Sequence, residues 1–226
     1  MSYAQLLAQI TMFEHLGAEH LERLSALLQE RRFSKGEIIF HQGDVGTALY
    51  IVRRGEVAIR LSSPEGKEVI LSLLGRGDAF GELALLDGEP RSTDAVAREE
   101  TSLLCLQQEV FRQFLTEHPQ LAMDLLAVLS RMVRRVTQLV HDTAFLDARA
   151  RLARVLLELA KTQGASGPEG TVIGPKLTQG ELANLCGVTR ESVNKWLRFY
   201  AREGLLSYDS GQITLVDPER LSLDVP

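Results

Sequence analysis

Eight of the nine glycines from position 36 to position 88 constrain this chain more than any other feature. Gly36, Gly43, Gly46, Gly55, Gly66, Gly75, Gly77 and Gly88 punctuate short apolar runs: Glu37–Phe40, Ala48–Val52, Glu56–Leu61 and Glu68–Leu74. A helix interior pays for each glycine in backbone entropy. Short strands closed by tight turns use it without that cost. Thr93–Ala97 and Ser102–Gln107 continue the pattern. The region from about Arg32 to Gln107 therefore predicts an antiparallel roll or barrel.

Helical spacing brackets that region. Leu6, Leu7, Ile10, Phe13, Leu16, Leu21, Leu24, Leu27 and Leu28 recur at three- and four-residue steps, which predicts helix across residues 3–30. A helical pattern returns near Glu109 and strengthens after Pro119. Leu125, Leu129, Met132, Val136, Leu139 and Thr143 alternate steps of four and three, the rhythm of a two-stranded seam, and Leu126, Val133 and Val140 widen it. A coiled coil between two chains and an amphipathic helix packed within one chain both fit that stripe. Arg149–Lys161 reads as a further helix and Thr162–Gly170 as a loop by composition. The class is α+β.

Charge separates the two halves of the chain. Residues 1–120 carry 12 Lys/Arg against 18 Asp/Glu, and residues 121–226 carry 13 against 12, within a formal net charge of −5. Any nucleic-acid contact is expected from a local patch in the second half. No apolar run approaches the roughly 20 residues that span a bilayer, so a cytoplasmic protein without membrane contact is expected. Cys105 and Cys186 stand far apart in no metal-ligand spacing. No Ser/His/Asp set, Cys/His pair or phosphate-binding Walker loop stands at motif spacing, and an enzyme is not expected.

Residues 176–206 carry the first chemical signal. Thr178 with Glu181 forms a capping box that opens a helix. Leu182, Ala183 and Leu185 face inward, Gly187 supplies a tight turn, and Thr189 caps a second helix held by Val193, Trp196 and Leu197. This is helix-turn-helix spacing. Arg190, Glu191, Asn194 and Lys195 lie on the exposed face near the start of the second helix. Arginine donates two hydrogen bonds to guanine O6 and N7, and glutamate accepts from cytosine N4. Lys176, Thr178, Thr189 and Ser192 suit phosphates, which position without specifying. Leu205–Tyr208 and Gln212–Val216 form a hairpin wing around Asp209–Gly211. Double-stranded DNA is the expected partner.

Residues 80–93 carry the second. Gly81, Glu82, Leu83 and Ala84 can begin a short helix whose free N–H groups meet an anion. Arg91 supplies a charge suited to phosphate, and Glu82 an acceptor for a ribose hydroxyl. The residues alone leave two possibilities open: a cyclic nucleotide site, or an Arg91–Glu82 salt bridge in an empty roll.

Phe80–Thr93, Ala144–Asp147 and Leu177–Ile213, in that order, resemble the cyclic-AMP receptor protein/FNR family of bacterial regulators, across about residues 10–220. The resemblance implies a sensor domain over 1–118, a dimerisation helix and hinge over 119–146, and a winged helix-turn-helix over 147–226. It implies that Glu82 binds the ribose 2′-hydroxyl, and that the backbone near Gly81 and Leu83, with Arg91 and Ser92, holds the cyclic phosphate. A Thr-Ser pair that touches adenine in the family falls on Val136 and Thr137, and Val136 cannot hydrogen-bond. The expected effector is cyclic AMP, with cyclic GMP not excluded by Ser92. An alternative is a regulator of the same family that binds DNA without a ligand. The family's Ser-Arg-Glu-Thr-Val-Gly-Arg stands here as Thr189-Arg-Glu-Ser-Val-Asn-Lys195, which implies a half-site resembling TGTGA with looser reading under Lys195. A homodimer and contact with RNA polymerase are implied as well. Iron–sulfur relatives need an N-terminal cysteine cluster, and no cysteine precedes Cys105. The five histidines, His15, His20, His41, His118 and His141, offer no obvious haem ligand pair.

Overall fold

The computed structural model describes residues 2–13, 15–174 and 176–225. They fall into two compact units, Met1–Arg135 and Val136–Pro226.

The first unit opens on short turns where one helical stretch was expected. Ser2 and Gln5 form a capping box that starts α1 (Tyr3–Leu7), a 3-10 turn follows at Thr11–Phe13, and α2 spans Ala18–Ser25 behind Gly17. Leu6, Leu7, Ile10, Phe13, Leu21 and Leu24 still reach one core, but from three separate pieces. The helical reading also overran its end, because Gln29–Phe33 is a strand, β1.

The roll follows: β2 (Ile38–Phe40), β3 (Ala48–Arg54), β4 (Val57–Ser62), β5 (Glu68–Leu74), β6 (Ala79–Phe80), α3 (Leu83–Asp87), β7 (Asp94–Ala97) and β8 (Thr101–Gln107). The strands form two antiparallel sheets, β1-β8-β3-β6 and β2-β7-β4-β5. Side-chain alternation gives each face its own core. Phe40, Ala48, Tyr50, Val52, Val57, Ile59, Phe80, Ala95, Leu103 and Cys105 cluster between the sheets. Leu49, Ile51, Leu104 and Leu106 point the other way. They meet Phe13, Leu24, Phe111 and Phe114 from the 3-10 turn, α2 and α4 (Gln108–Glu117), and Leu121 and Leu125 from α5 (Pro119–Phe145).

Helix α5 divides the expected seam in two. Leu125 is buried in the helical core and Leu129 packs against it. Leu126, Val133 and Val140, read as the flank of the stripe, are 55%, 65% and 63% exposed at seven-residue spacing. Among the described residues they form an exposed apolar row.

The second unit contains α6 (Ala148–Gln163), β9 (Gly164–Gly167), β10 (Gly170–Ile173), α7 (Gln179–Cys186), α8 (Arg190–Arg202), β11 (Leu206–Asp209), β12 (Gln212–Leu215) and α9 (Pro218–Ser222). The stretch read as a loop is largely a strand and its turn, within the sheet β11-β12-β10-β9. Its glycines are packing residues. Gly170 has φ +137°, and a Cβ there would lie 2.0 Å from the Leu215 carbonyl oxygen. The chain end is tied down too. Asp224 accepts from Arg149 Nε at 2.8 Å and Nη2 at 2.7 Å, and the Arg149 guanidinium lies over the Phe199 ring at 4.7 Å. Tyr200 Oη donates to the Arg149 carbonyl at 3.2 Å. Helix α8 is thereby held from behind.

Candidate functional site

Two places hold the residues that the sequence singles out, one in each unit.

In the first unit, strand β6 ends at Phe80 and the chain turns through Gly81 at φ +84°. A Cβ on Gly81 would stand 2.6 Å from Arg91 Nη1, so glycine is required by backbone angle and by space together. Glu82 caps α3, and Gly88 closes it in the left-handed conformation. The first N–H groups of a helix have no partner within it, which leaves those of Leu83 and Ala84 available to an anion. The segment after α3 is pinned by Arg91 N to the Asp44 carbonyl at 2.8 Å and by Gly43 N to the Arg91 carbonyl at 2.9 Å. Leu83 is half-buried and Ser92 exposed.

Arg91 is 5% exposed. Its Nη1 donates to the Gly81 carbonyl at 2.5 Å and its Nη2 to the Ala48 carbonyl at 2.7 Å. Its guanidinium sits 4.3 Å from the centre of the Phe40 ring. Its Nε has no hydrogen-bond partner among the described residues. Burial lowers its pKa, opposed by Tyr50, Glu82 and Asp44. Glu82 is 7% exposed. Burial raises its carboxyl above the usual range, partly offset by a bond from its own backbone N–H and by the charge of Arg91. No ion pair joins Glu82 to Arg91 among the described residues. The closed salt bridge that the sequence left open is not formed. An incompletely satisfied buried cation beside a desolvated carboxylate is unfavourable in itself. A phosphate with a neighbouring hydroxyl would satisfy both.

The partners of Arg91 were not legible in the sequence. Ala48 and Phe40 lie on strands more than 40 positions away, and nothing local marks them. Val136 and Thr137 are exposed on α5.

Gly81→Ala is expected to cost about 1–2 kcal/mol from the left-handed backbone alone, with a further loss as Arg91 is displaced. Urea unfolding with and without nucleotide would read both.

In the second unit the helix-turn-helix forms as spaced. Thr178 Oγ1 accepts from Glu181 N, and the Glu181 carboxylate accepts from Thr178 N, completing the capping box. The Thr178 hydroxyl proton goes to Glu181 at 2.8 Å. Gly187 ends α7 in the left-handed conformation, and Arg151 Nη1 donates to its carbonyl at 3.1 Å. Thr189 caps α8 by accepting from Ser192 N. Arg190, Glu191 and Lys195 are exposed, Ser192 and Asn194 half-buried, and Val193, Leu197 and Tyr200 buried behind them. Asn194 Oδ1 accepts from Gln179 Nε2 at 3.4 Å, and Lys195 Nζ stands 4.6 Å over the Trp196 ring. The Glu191 carboxyl is held below its usual range by hydrogen bonds from its own backbone N–H and the Thr189 hydroxyl, so it is an anionic acceptor at neutral pH. Lys176 is exposed.

Both cysteines are free and buried. Burial pushes Cys105 up to about 11 and Cys186 up to about 12, so neither is a thiolate at neutral pH.

Known proteins carry the same two modules in the same order. Residues 30–118 match the cyclic nucleotide-binding domain and residues 150–223 the Crp-like helix-turn-helix domain. The chain is 32% identical over 218 residues to the CRP-like cAMP-activated global transcriptional regulator of Mycobacterium tuberculosis, covering 96% of this chain and 97% of that protein. It is 36% identical over 204 residues to the Cyclic AMP receptor protein of Thermus thermophilus, covering 89% and 90%. Among solved structures, the c-di-GMP responsive global regulator CLP of Xanthomonas campestris superposes with TM-score 0.77 at 27% identity, over 88% of this chain and 99% of that one.

Proposed function

Because the chain belongs to the cyclic-AMP receptor protein/FNR family of transcription regulators, we propose that its DNA binding is switched by a cyclic nucleotide, cyclic AMP, held between Arg91 and Glu82. The observation that carries the proposal is Arg91: a guanidinium buried in the roll, with Nε unpartnered and no carboxylate closed upon it. In this reading Arg91 and Ser92, with the N–H groups around Gly81 and Leu83, hold the cyclic phosphate. Glu82 accepts from the ribose 2′-hydroxyl. Thr137 meets the base, while Val136 offers it only apolar contact.

Two copies pair along α5 through Leu126, Val133 and Val140. Burying that row stabilises the pair by about 25 cal/mol for each Å² of apolar surface removed from water. A two-fold dimer needs half-sites one helical turn apart, roughly 34–36 Å between centres. Arg190, Glu191 and Lys195 read bases, with Asn194 beside them, and Lys176, Thr178, Thr189 and Ser192 lie along the phosphates. The ligand shifts the switch only by its differential affinity for the two states, typically about 1–3 kcal/mol. The protein works in the cytoplasm and touches RNA polymerase. It catalyses no reaction.

The test is a titration of purified protein with cyclic AMP, followed by operator binding with and without it. The expected result is operator affinity that rises about 5- to 150-fold with the nucleotide. Val136 favours a second reading, in which the protein binds its operator without any ligand. Equal operator affinity in both arms would establish it.

A further inference from the structure

One transverse row of side chains crosses the inner face of the sheet β2-β7-β4-β5. Phe40 pairs with Ala95, Ala95 with Ile59, and Ile59 with Ser72. Directly opposed residues share a face, and Phe40, Ala95 and Ile59 all belong to the inner cluster. Ser72 on β5 therefore faces inward at the far end of that row. At about 4.8 Å between strands, Ser72 stands three spacings, roughly 14 Å along the sheet, from Phe40.

A guanidinium occupies each end. Arg91 lies over Phe40. At the other end Arg135 Nη1 donates to Ser72 Oγ at 2.9 Å, and the Asp78 carboxyl feels the same charge. Between them the row offers only Ala95 and Ile59. Such a surface suits the flat apolar face of a sugar and base. Arg135 is exposed, and its partner at Ser72 is a single neutral hydroxyl that a stronger acceptor displaces.

We propose that Arg135 reads the edge of the bound purine and favours guanine, so that cyclic GMP competes with cyclic AMP for this site. The inference rests on the nucleotide reading of Arg91 and Glu82. A guanidinium is all donor, with no acceptor to offer. Guanine presents two acceptors, O6 and N7, on one edge, and a planar fork meets both. Adenine presents N7 beside the N6 amino donor, which faces the fork like against like. Val136, next in sequence, offers adenine no compensating acceptor.

The experiment is calorimetric titration of the full-length protein with cyclic AMP and cyclic GMP separately, in the unsubstituted chain, Arg135→Leu, Arg135→Lys and Arg91→Leu. Arg135→Leu is expected to weaken cyclic GMP about tenfold or more and to leave cyclic AMP nearly unchanged. Arg135→Lys keeps the charge without the fork and is expected to fall between. Arg91→Leu is expected to abolish both. Both nucleotides weakened equally by Arg135→Leu, or neither, would overturn the proposal while leaving the pocket in place. No binding of either nucleotide by the unsubstituted protein would sink the pocket reading, and this inference with it.

Discussion

Arg91→Leu is expected to leave a folded roll that no longer answers to nucleotide. The substitution removes the charge but keeps an apolar side chain against Phe40. It strips the Gly81 and Ala48 carbonyls of their donors, which costs stability. It also relieves the chain of a buried, incompletely paired cation, which restores stability. The two oppose each other, so unfolding of the free protein should move by no more than about 1–2 kcal/mol. Binding has no such compensation. Charge-assisted hydrogen bonds contribute about 1.5–3 kcal/mol each. Losing two costs the nucleotide about 3–6 kcal/mol, a hundredfold or more in affinity. Differential scanning fluorimetry separates the effects. In the unsubstituted protein, nucleotide at a hundred times its Kd stabilises by about 2.7 kcal/mol, a rise of roughly 5–10 °C in Tm. The variant should show a similar Tm without ligand and no rise with it. A preserved ligand-induced rise would remove Arg91 from the site.

Glu82 gives the same pocket a pH dependence. Its carboxyl is raised by burial in the free protein, so the folded state holds its proton more tightly than the unfolded chain does. Stability from this group is therefore greater below the ordinary glutamate range and falls as pH rises through the raised value. A hydroxyl donating to the carboxylate favours its charged form, so a bound ribose draws that titration back down.

How much of this was legible in the sequence depends on whether the responsible partners are local. The caps at Thr178 and Thr189 and the turn at Gly187 are set by residues within four positions, and they formed as read. The alternation of β3 to β5 and β8 was visible because each strand buries at least one face. Strand β1 was not, since Gln-Glu-Arg-Arg-Phe has no buried residue to mark a face, and its pairing with β8 comes from far along the chain. Strand β9, Gly-Ala-Ser-Gly, reads as a loop because the backbone of β10 defines it, not its side chains. The stripe on α5 was legible as a stripe but not as two. Leu125 and Leu129 turn toward the core of their own chain, which composition cannot foretell, and leave Leu126, Val133 and Val140 outward. In the pocket, the sequence showed which side chains carry charge. It could not show that Arg91 is fixed by two carbonyls and a ring rather than by Glu82, because Ala48 and Phe40 come from distant strands and the Gly81 carbonyl is offered by the backbone.

Arg190→Ala is expected to relax reading at one guanine in each half-site while leaving the DNA-binding unit intact. Arg190 is the first residue of α8 and is exposed, so its truncation opens no cavity. The helix is fixed from the other side. Val193, Leu197 and Tyr200 are buried, and Arg149, clamped by Asp224, lies against Phe199. Losing the fork to O6 and N7 costs about 1–3 kcal/mol against the preferred base, which is about 5- to 150-fold. The loss should be confined to that base pair, because Glu191 and Lys195 keep their places on the helix. It should also leave the salt dependence of binding almost unchanged. A base contact releases no counterion, whereas a lost phosphate contact lowers the log–log slope by about one. Binding measured across operators varied one pair at a time, at two salt concentrations, reads both quantities. A uniform loss over all sequences with a shallower slope would make Arg190 a phosphate contact, and the base-reading face of α8 would then have to begin at Glu191.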